Sequence, residues 1–276
     1  MSTKSMFCLA AILSAACGAA NADTTAFSMS LPKVDGTVQP LIIGGVKADP
    51  VDWPMTFVFL DPTGGGCTST AVGERAIITA AHCIANNARG SVTVGGHSIA
   101  TACTHHPDYR SFPSLTPATE PVVSPDFALC SLEHPLPAGL FEHIDTKGQS
   151  IAPGNSVHLL GFGCNSVGGH DGSFGVLFEG DARIVSTPTA TSYYTRALGG
   201  AAVCFGDSGG GAFHIGDSAG ARRWLIGINS RGDISKLSFI STTSKVKFVE
   251  WAESWANTHA TRICGLHADA VGCRPQ

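Results

Sequence analysis

The chain has 276 residues, 17 Lys+Arg against 21 Asp+Glu, and a formal net charge of −4. Only 14% is charged and 43% is hydrophobic, which excludes a disordered polyelectrolyte and a basic nucleic-acid-binding surface. With 33 glycines and 15 prolines the composition favours short strands joined by turns, and ten cysteines point to an oxidising compartment.

The amino terminus reads as an export signal over residues 1–22. Lys4 supplies the positive start, Met6 to Ala20 is apolar, and Ala20-Asn21-Ala22 is a small-x-small cleavage site. The apolar run is short of the roughly 20 residues that span a bilayer. An alternative is a lipoprotein signal at Cys17, for which Leu13 stands one place too far back. Cleavage after Ala22 removes Cys8 and Cys17 and leaves an even set of eight cysteines. Residues 23–41 lack periodicity and read as a removable leader. From Ile42 onward, strand-length apolar runs alternate with turn residues: Met55–Leu60, Ala76–Thr79, Ser91–Val94, Val157–Gly161, Gly175–Phe178 and Trp224–Ile228. Only Lys245–Asn257 has helical spacing, through Val246, Val249, Trp251, Ala252, Trp255 and Ala256. The expected class is all-β with one C-terminal helix.

Three segments carry chemistry: Thr79-Ala80-Ala81-His82-Cys83, Asp126-Phe127-Ala128-Leu129 and Gly206-Asp207-Ser208-Gly209-Gly210. A serine hydroxyl is a weak nucleophile until an imidazole accepts its proton, and the imidazole needs a carboxylate to fix its tautomer. Glycines around Ser208 permit a tight turn and leave backbone N–H groups free to face a developing oxyanion. His105-His106 lacks metal-ligand spacing and reads as strand or surface; no metal or other cofactor is expected.

These motifs resemble the trypsin/chymotrypsin family of serine endopeptidases over roughly Ile42 to Asn257. Ile42-Ile43-Gly44-Gly45 resembles the family's mature amino terminus and Trp53-Pro54 its early strand. Gly161-Phe162-Gly163 stands where the family has Gly-Trp-Gly, and Ile228-Asn229-Ser230 where a serine supports the aspartate. The resemblance implies two six-stranded antiparallel barrels over 42–257, divided near 140–150, with the site between them. His82 would act as base and then acid, Asp126 would orient it, and Ser208 would attack the scissile carbonyl. The N–H groups of Gly206 and Ser208 would form the oxyanion hole. A new amine at Ile42 would pair with Asp207 after cleavage of a zymogen by an activating protease. Because Leu41 precedes that bond, the activator would be non-tryptic, self-processing included.

Specificity and disulfides follow the same comparison. The position six residues before Ser208, an aspartate in tryptic enzymes, is Ala202, followed by Val203. With Ser230, Gly232 and Leu237 as further walls, the pocket is expected to take small or medium apolar residues and to reject Lys and Arg. Arg231 replaces a tryptophan common in relatives. Cys67 and Cys83 resemble the bridge around the histidine loop, worth roughly 3 kcal/mol in the loop-entropy view. Cys204 lacks its usual partner, and Cys164 is expected to pair with it. Cys103 and Cys130, on expected neighbouring strands, pair or remain buried thiols. Cys264 and Cys273, in the tail 258–276, form a local bridge or, with His267, a zinc knuckle. No Asp or Glu lies between Glu74 and Asp108, so the family's calcium loop has no carboxylate. The expectation is a secreted, monomeric enzyme acting on proteins or peptides, without nucleic-acid or membrane partners. A catalytically silent binding protein and an esterase are the alternatives.

Overall fold

A computed structural model describes residues 42–276 apart from 112–123, 138, 149–150, 165–168, 170–173, 191 and 217–221. The expected signal and leader, with Leu41, lie outside the described residues. Six strands close the first barrel: β2 (Thr56–Leu60), β3 (Gly66–Gly73), β4 (Ala76–Thr79), β5 (Arg89–Val94), β6 (His97–His105) and β7 (Ala128–Leu132). Their order is β2-β3-β4-β7-β6-β5, closed by Phe59↔Val92 between β2 and β5.

The second barrel uses β8 (Ser156–Gly161), β9 (Phe178–Ser186), β10 (Tyr194–Leu198), β11 (Gly211–Ile215), β12 (Arg223–Gly232) and β13 (Leu237–Thr242). Its ring β9-β10-β13-β12-β11-β8 closes through the β8–β9 pairing, and the short β1 (Val46–Lys47) adds to β9. Pairing is antiparallel throughout. On β9, Phe178, Ala182 and Ile184 are buried while Asp181, Arg183 and Val185 face outward, the period of two that a half-buried strand requires. The expected strand start at Gly175 is corrected to Phe178. The Gly175 N–H is given to Phe162 O and Leu177 O is taken by Ala48 N, and the chain turns and bends over 174–176 before β9 begins.

Among the described residues the single α-helix is α1 (Val246–Thr258). Its buried face is Phe248, Ala252, Trp255 and Ala256, with Val249 and Trp251 only partly covered. Val246 opens the helix and is 69% exposed, so the anchor of the first turn is Phe248. Phe248 packs 4.5 Å from the ring of Phe127, the residue after Asp126. His106 is not a surface residue: it is buried, with Tyr193 and Trp251 as ring neighbours.

The two barrels are tied by the segment around Phe141–Asp145 and by the tail. Glu142 N bonds Ala71 O of the first barrel and Asp145 N bonds Leu225 O of the second. The tail runs alongside: Ile144 N bonds Cys264 O, Phe141 N bonds Gly272 O, and Cys264 N bonds Val72 O. The Cys264–Cys273 bridge closes this strap. At its centre the fully buried Glu142 carboxylate receives the Arg223 guanidinium in a two-pronged ion pair and the Arg274 Nε at 3.4 Å. Arg223 also lies 3.8 Å over the Trp53 ring. Removing one partner of a buried pair strands the other charge, at about 3–5 kcal/mol. Glu142→Ala therefore lowers unfolding free energy by about that amount, read as a lower urea midpoint at unchanged slope.

Candidate active site

His82 is the middle residue of a single 3-10 turn, Ala81–Cys83, that follows β4. The turn is fastened by the Cys67–Cys83 disulfide and by the His82 N–H, which donates to Asp126 Oδ1 at 3.0 Å. Asp126 is 3% exposed, just before β7. Its Oδ2 accepts from His82 Nδ1 at 2.7 Å and from the Ser230 hydroxyl at 2.6 Å, and its N–H donates to Ser241 Oγ at 3.3 Å. A carboxylate can only accept, so Nδ1 carries the proton and Nε2 is left with a lone pair. That lone pair faces Ser208 Oγ at 2.8 Å.

The electrostatics follow from this line. Burial and two neighbours compete at Asp126: desolvation pushes its pKa up, but the His82 charge and the His82 and Ser230 hydrogen bonds outweigh it and hold it below the ordinary value. At His82, burial and the Arg231 charge push down, and the Asp126 charge and hydrogen bond override them, leaving the imidazole above 6.5. Arg231 itself lies 4.7 Å over the Tyr194 ring, at the site's edge.

Ser208 sits in the turn before β11. Four successive carbonyls of that turn are engaged: Phe205 O by Cys164 N (2.7 Å), Gly206 O by Thr68 Oγ1 (2.8 Å), Asp207 O by Gly210 N (2.9 Å) and Ser208 O by Thr68 N (2.8 Å). In a trans peptide the N–H points opposite to the C=O, so fixing Phe205 O and Asp207 O fixes the direction of the Gly206 and Ser208 N–H groups. Among the described residues neither N–H is given to a protein acceptor. Gly206 has φ 93°, and at Gly209, φ 82°, a Cβ would lie 2.0 Å from Thr79 Oγ1 and 2.2 Å from Thr68 O. Thr68 and Ser241 were not singled out by the sequence, where each is an ordinary strand residue, and Thr79 enters there only as the first residue of the histidine segment.

Asp207 is fully buried. Its carboxylate accepts from Cys204 N and Gly163 N, both at 2.8 Å, yet burial pushes its pKa up to about 7. The Cys164–Cys204 disulfide joins the strands of chain that supply those amides. Ile42 is also buried, with φ 52°, in the core of the second barrel beside Val203.

Of the expected pocket residues, Gly232 and Val203 are brought together: a Cβ on Gly232 would lie 2.9 Å from Val203 Cγ2 and 2.4 Å from Leu237 O. Ala202 packs the other way, with Ile43, Cys164 and Cys204. Asp233 is committed to the β12–β13 turn, where its Oδ1 accepts from the N–H groups of Ser235, Lys236 and Leu237. Cys103 and Cys130 form a disulfide and are not free thiols, and the Cys264–Cys273 bridge leaves His267 without the thiolates a zinc knuckle needs. Among the described residues the converging metal-ligand types are Cys67, His82 and Cys83, whose sulfurs are joined and whose ring nitrogens are both engaged. That group offers no ligand set to a cation.

Two closed antiparallel barrels with an Asp–His–Ser line between them define the chymotrypsin-like class of fold and site. The sequence profile of the trypsin family matches residues 42–252, and the chain belongs to that family of serine endopeptidases. It is similar to brachyurin of Leptuca pugilator, with 30% identity over 196 residues covering 61% of this chain and 80% of that protein. It is also similar to a trypsin of Saccharopolyspora erythraea, 26% identical over 208 residues, 70% of this chain and 87% of that one.

The His82 environment yields a direct check. An NMR titration is expected to place its ring above the ordinary 6.5, and in Asp126→Asn, which removes the charge and hydrogen bond that raise it, the midpoint is expected to fall. An unchanged midpoint would mean that Asp126 does not set the imidazole's charge.

Proposed function

We propose that the protein is a secreted endopeptidase in which Ser208 attacks the peptide carbonyl, His82 takes and then returns the proton, and Asp126 holds the imidazole. The observation that carries this reading is the unbroken line Asp126–His82–Ser208, 2.7 and 2.8 Å per link, in a chain of the trypsin family. As the hydroxyl proton passes to Nε2, the Asp126 carboxylate stabilises the imidazolium, and the outward N–H groups of Gly206 and Ser208 receive the oxyanion. The imidazolium then protonates the leaving amine, and water repeats the sequence on the acyl-enzyme. Four disulfides suit an oxidising compartment and support secretion behind the signal over 1–22.

The pocket reading rests on Val203, Ser230, Gly232 and Leu237, with Ala202, at the position of the tryptic aspartate, packed against Ile43, Cys164 and Cys204; none of the five offers a countercharge to a buried lysine or arginine. Cleavage is after small or medium apolar residues. Among the described residues Asp207 has only amide partners for its buried carboxylate, which supports activation by a cationic Ile42 amine once the Leu41–Ile42 bond is cut.

A fluorophosphonate probe labels the mature protein, and Ser208→Ala abolishes labelling and lowers casein hydrolysis on the order of 10⁶-fold. In a panel of chromogenic peptides the fastest turnover follows Ala, Val or Leu, and fastest turnover after Arg or Lys would contradict the pocket reading. Retained ester hydrolysis without casein digestion would favour the esterase.

Activation has its own signature. A carboxyl whose pKa is raised by folding stabilises the fold fully below its ordinary 3.8 and loses that contribution as pH climbs through about 7. A Ser208→Ala precursor therefore loses stability between pH 4 and 7 in urea titrations. The form beginning at Ile42 escapes that loss, because its amine stabilises the carboxylate. Full activity with any other amino terminus would overturn the activation scheme.

A further inference from the structure

The nucleophile turn belongs to the second barrel, yet two of its four engaged carbonyls are held by one residue of the first, Thr68 on β3. Thr68 is fully buried, immediately after Cys67. Its N–H donates to Ser208 O at 2.8 Å and its hydroxyl meets Gly206 O at 2.8 Å. Its own carbonyl accepts the Thr79 hydroxyl at 2.8 Å, so the residue is pinned from behind by β4.

The direction of the Thr68 hydroxyl proton follows from its other neighbour. Phe162 N–H lies 3.0 Å from Thr68 Oγ1 and can only donate, so the oxygen accepts there. The hydroxyl hydrogen is then available for Gly206 O, which can only accept. Among the described residues this is the one carbonyl of the four, 205 to 208, that is fixed by a side chain. The other end of the same peptide is held more loosely, by Asp207 N to Cys204 O at 3.2 Å. With φ at 93°, Gly206 has no side chain to restrict rotation about its backbone bonds.

We propose that Thr68 is a positioning residue for the oxyanion hole: its hydroxyl, oriented by Phe162, locks the Gly206–Asp207 peptide, so that Gly206 cannot turn about its own φ and ψ and draw the Phe205–Gly206 peptide, which carries the Gly206 N–H, away from the direction that Cys164 N sets. The proposal rests on the reading of Ser208 as nucleophile. A donor that is correctly placed only part of the time stabilises the tetrahedral transition state less while leaving ground-state binding intact, so the effect falls on kcat rather than KM.

The comparison is between Thr68→Val, which keeps the shape and removes the hydroxyl, and Thr68→Ser, which keeps the hydroxyl. Rates are measured on a chromogenic peptide and normalised to sites titrated by fluorophosphonate. Thr68→Val lowers kcat about 10-fold with KM within about twofold, and weakens a peptide aldehyde inhibitor by the same factor as kcat. Thr68→Ser stays within about threefold of the parent on each measure. If Thr68→Val does not fold, Thr68→Ala against Thr68→Ser reads the same hydroxyl. Parental kcat in the hydroxyl-free variant, equal loss in the serine variant, or a loss confined to KM would each overturn the proposal. Absence of fluorophosphonate labelling in the parent protein would instead overturn the nucleophile assignment on which it rests.

Discussion

The site depends on a hydrogen-bonded circuit that crosses the boundary between the barrels twice. Ser230 of the second barrel donates to Asp126 of the first at 2.6 Å, and Asp126 accepts from His82 at 2.7 Å. His82 reaches back across to Ser208 at 2.8 Å, and Ser208 Oγ lies 3.4 Å from the Ser230 carbonyl, where the circuit began. Each link tolerates only a few tenths of an ångström before it ceases to be a hydrogen bond. Two independently closed barrels must therefore be held in fixed register, and much of the structure away from the cleft serves that end.

Three devices provide the register. The tail and its disulfide strap the segment between the barrels, with Glu142 and its two arginines at the centre. The helix plugs Phe248 against Phe127, one residue from Asp126. Thr68 links β3 to the turn that carries Ser208. The buried Asp207 carboxylate works against them: its two amide bonds do not offset the loss of water, so the turn beside Ser208 carries an electrostatic cost, which the proposed Ile42 amine would relieve.

Much of this was legible in the sequence because the signals are local. His82, Asp126 and Ser208 sit in short motifs whose residue types chemistry constrains, and strand-length apolar runs such as Val157–Gly161 and Trp224–Ile228 announce the largely buried β8 and β12. What stayed hidden depends on long-range contacts. Thr68 lies 138 positions from Gly206, and nothing around it distinguishes it from Ser69 or Thr70. Glu142 and Arg223 read as ordinary surface charges until the strap buries them together. Phe248 was missed because the exposed Val246 fitted the helical period equally well, and only the position of Phe127 decides between the two faces.

A structure of the mature protein with a peptide aldehyde or boronate bound would test the central claim most directly, since it captures the reacting geometry itself. The account predicts a covalent bond to Ser208 Oγ, with one adduct oxygen at about 2.7–3.1 Å from both Gly206 N and Ser208 N. The circuit through His82, Asp126 and Ser230 would be intact. An adduct on another residue, or an oxygen turned to solvent with the Phe205–Gly206 peptide rotated, would contradict it.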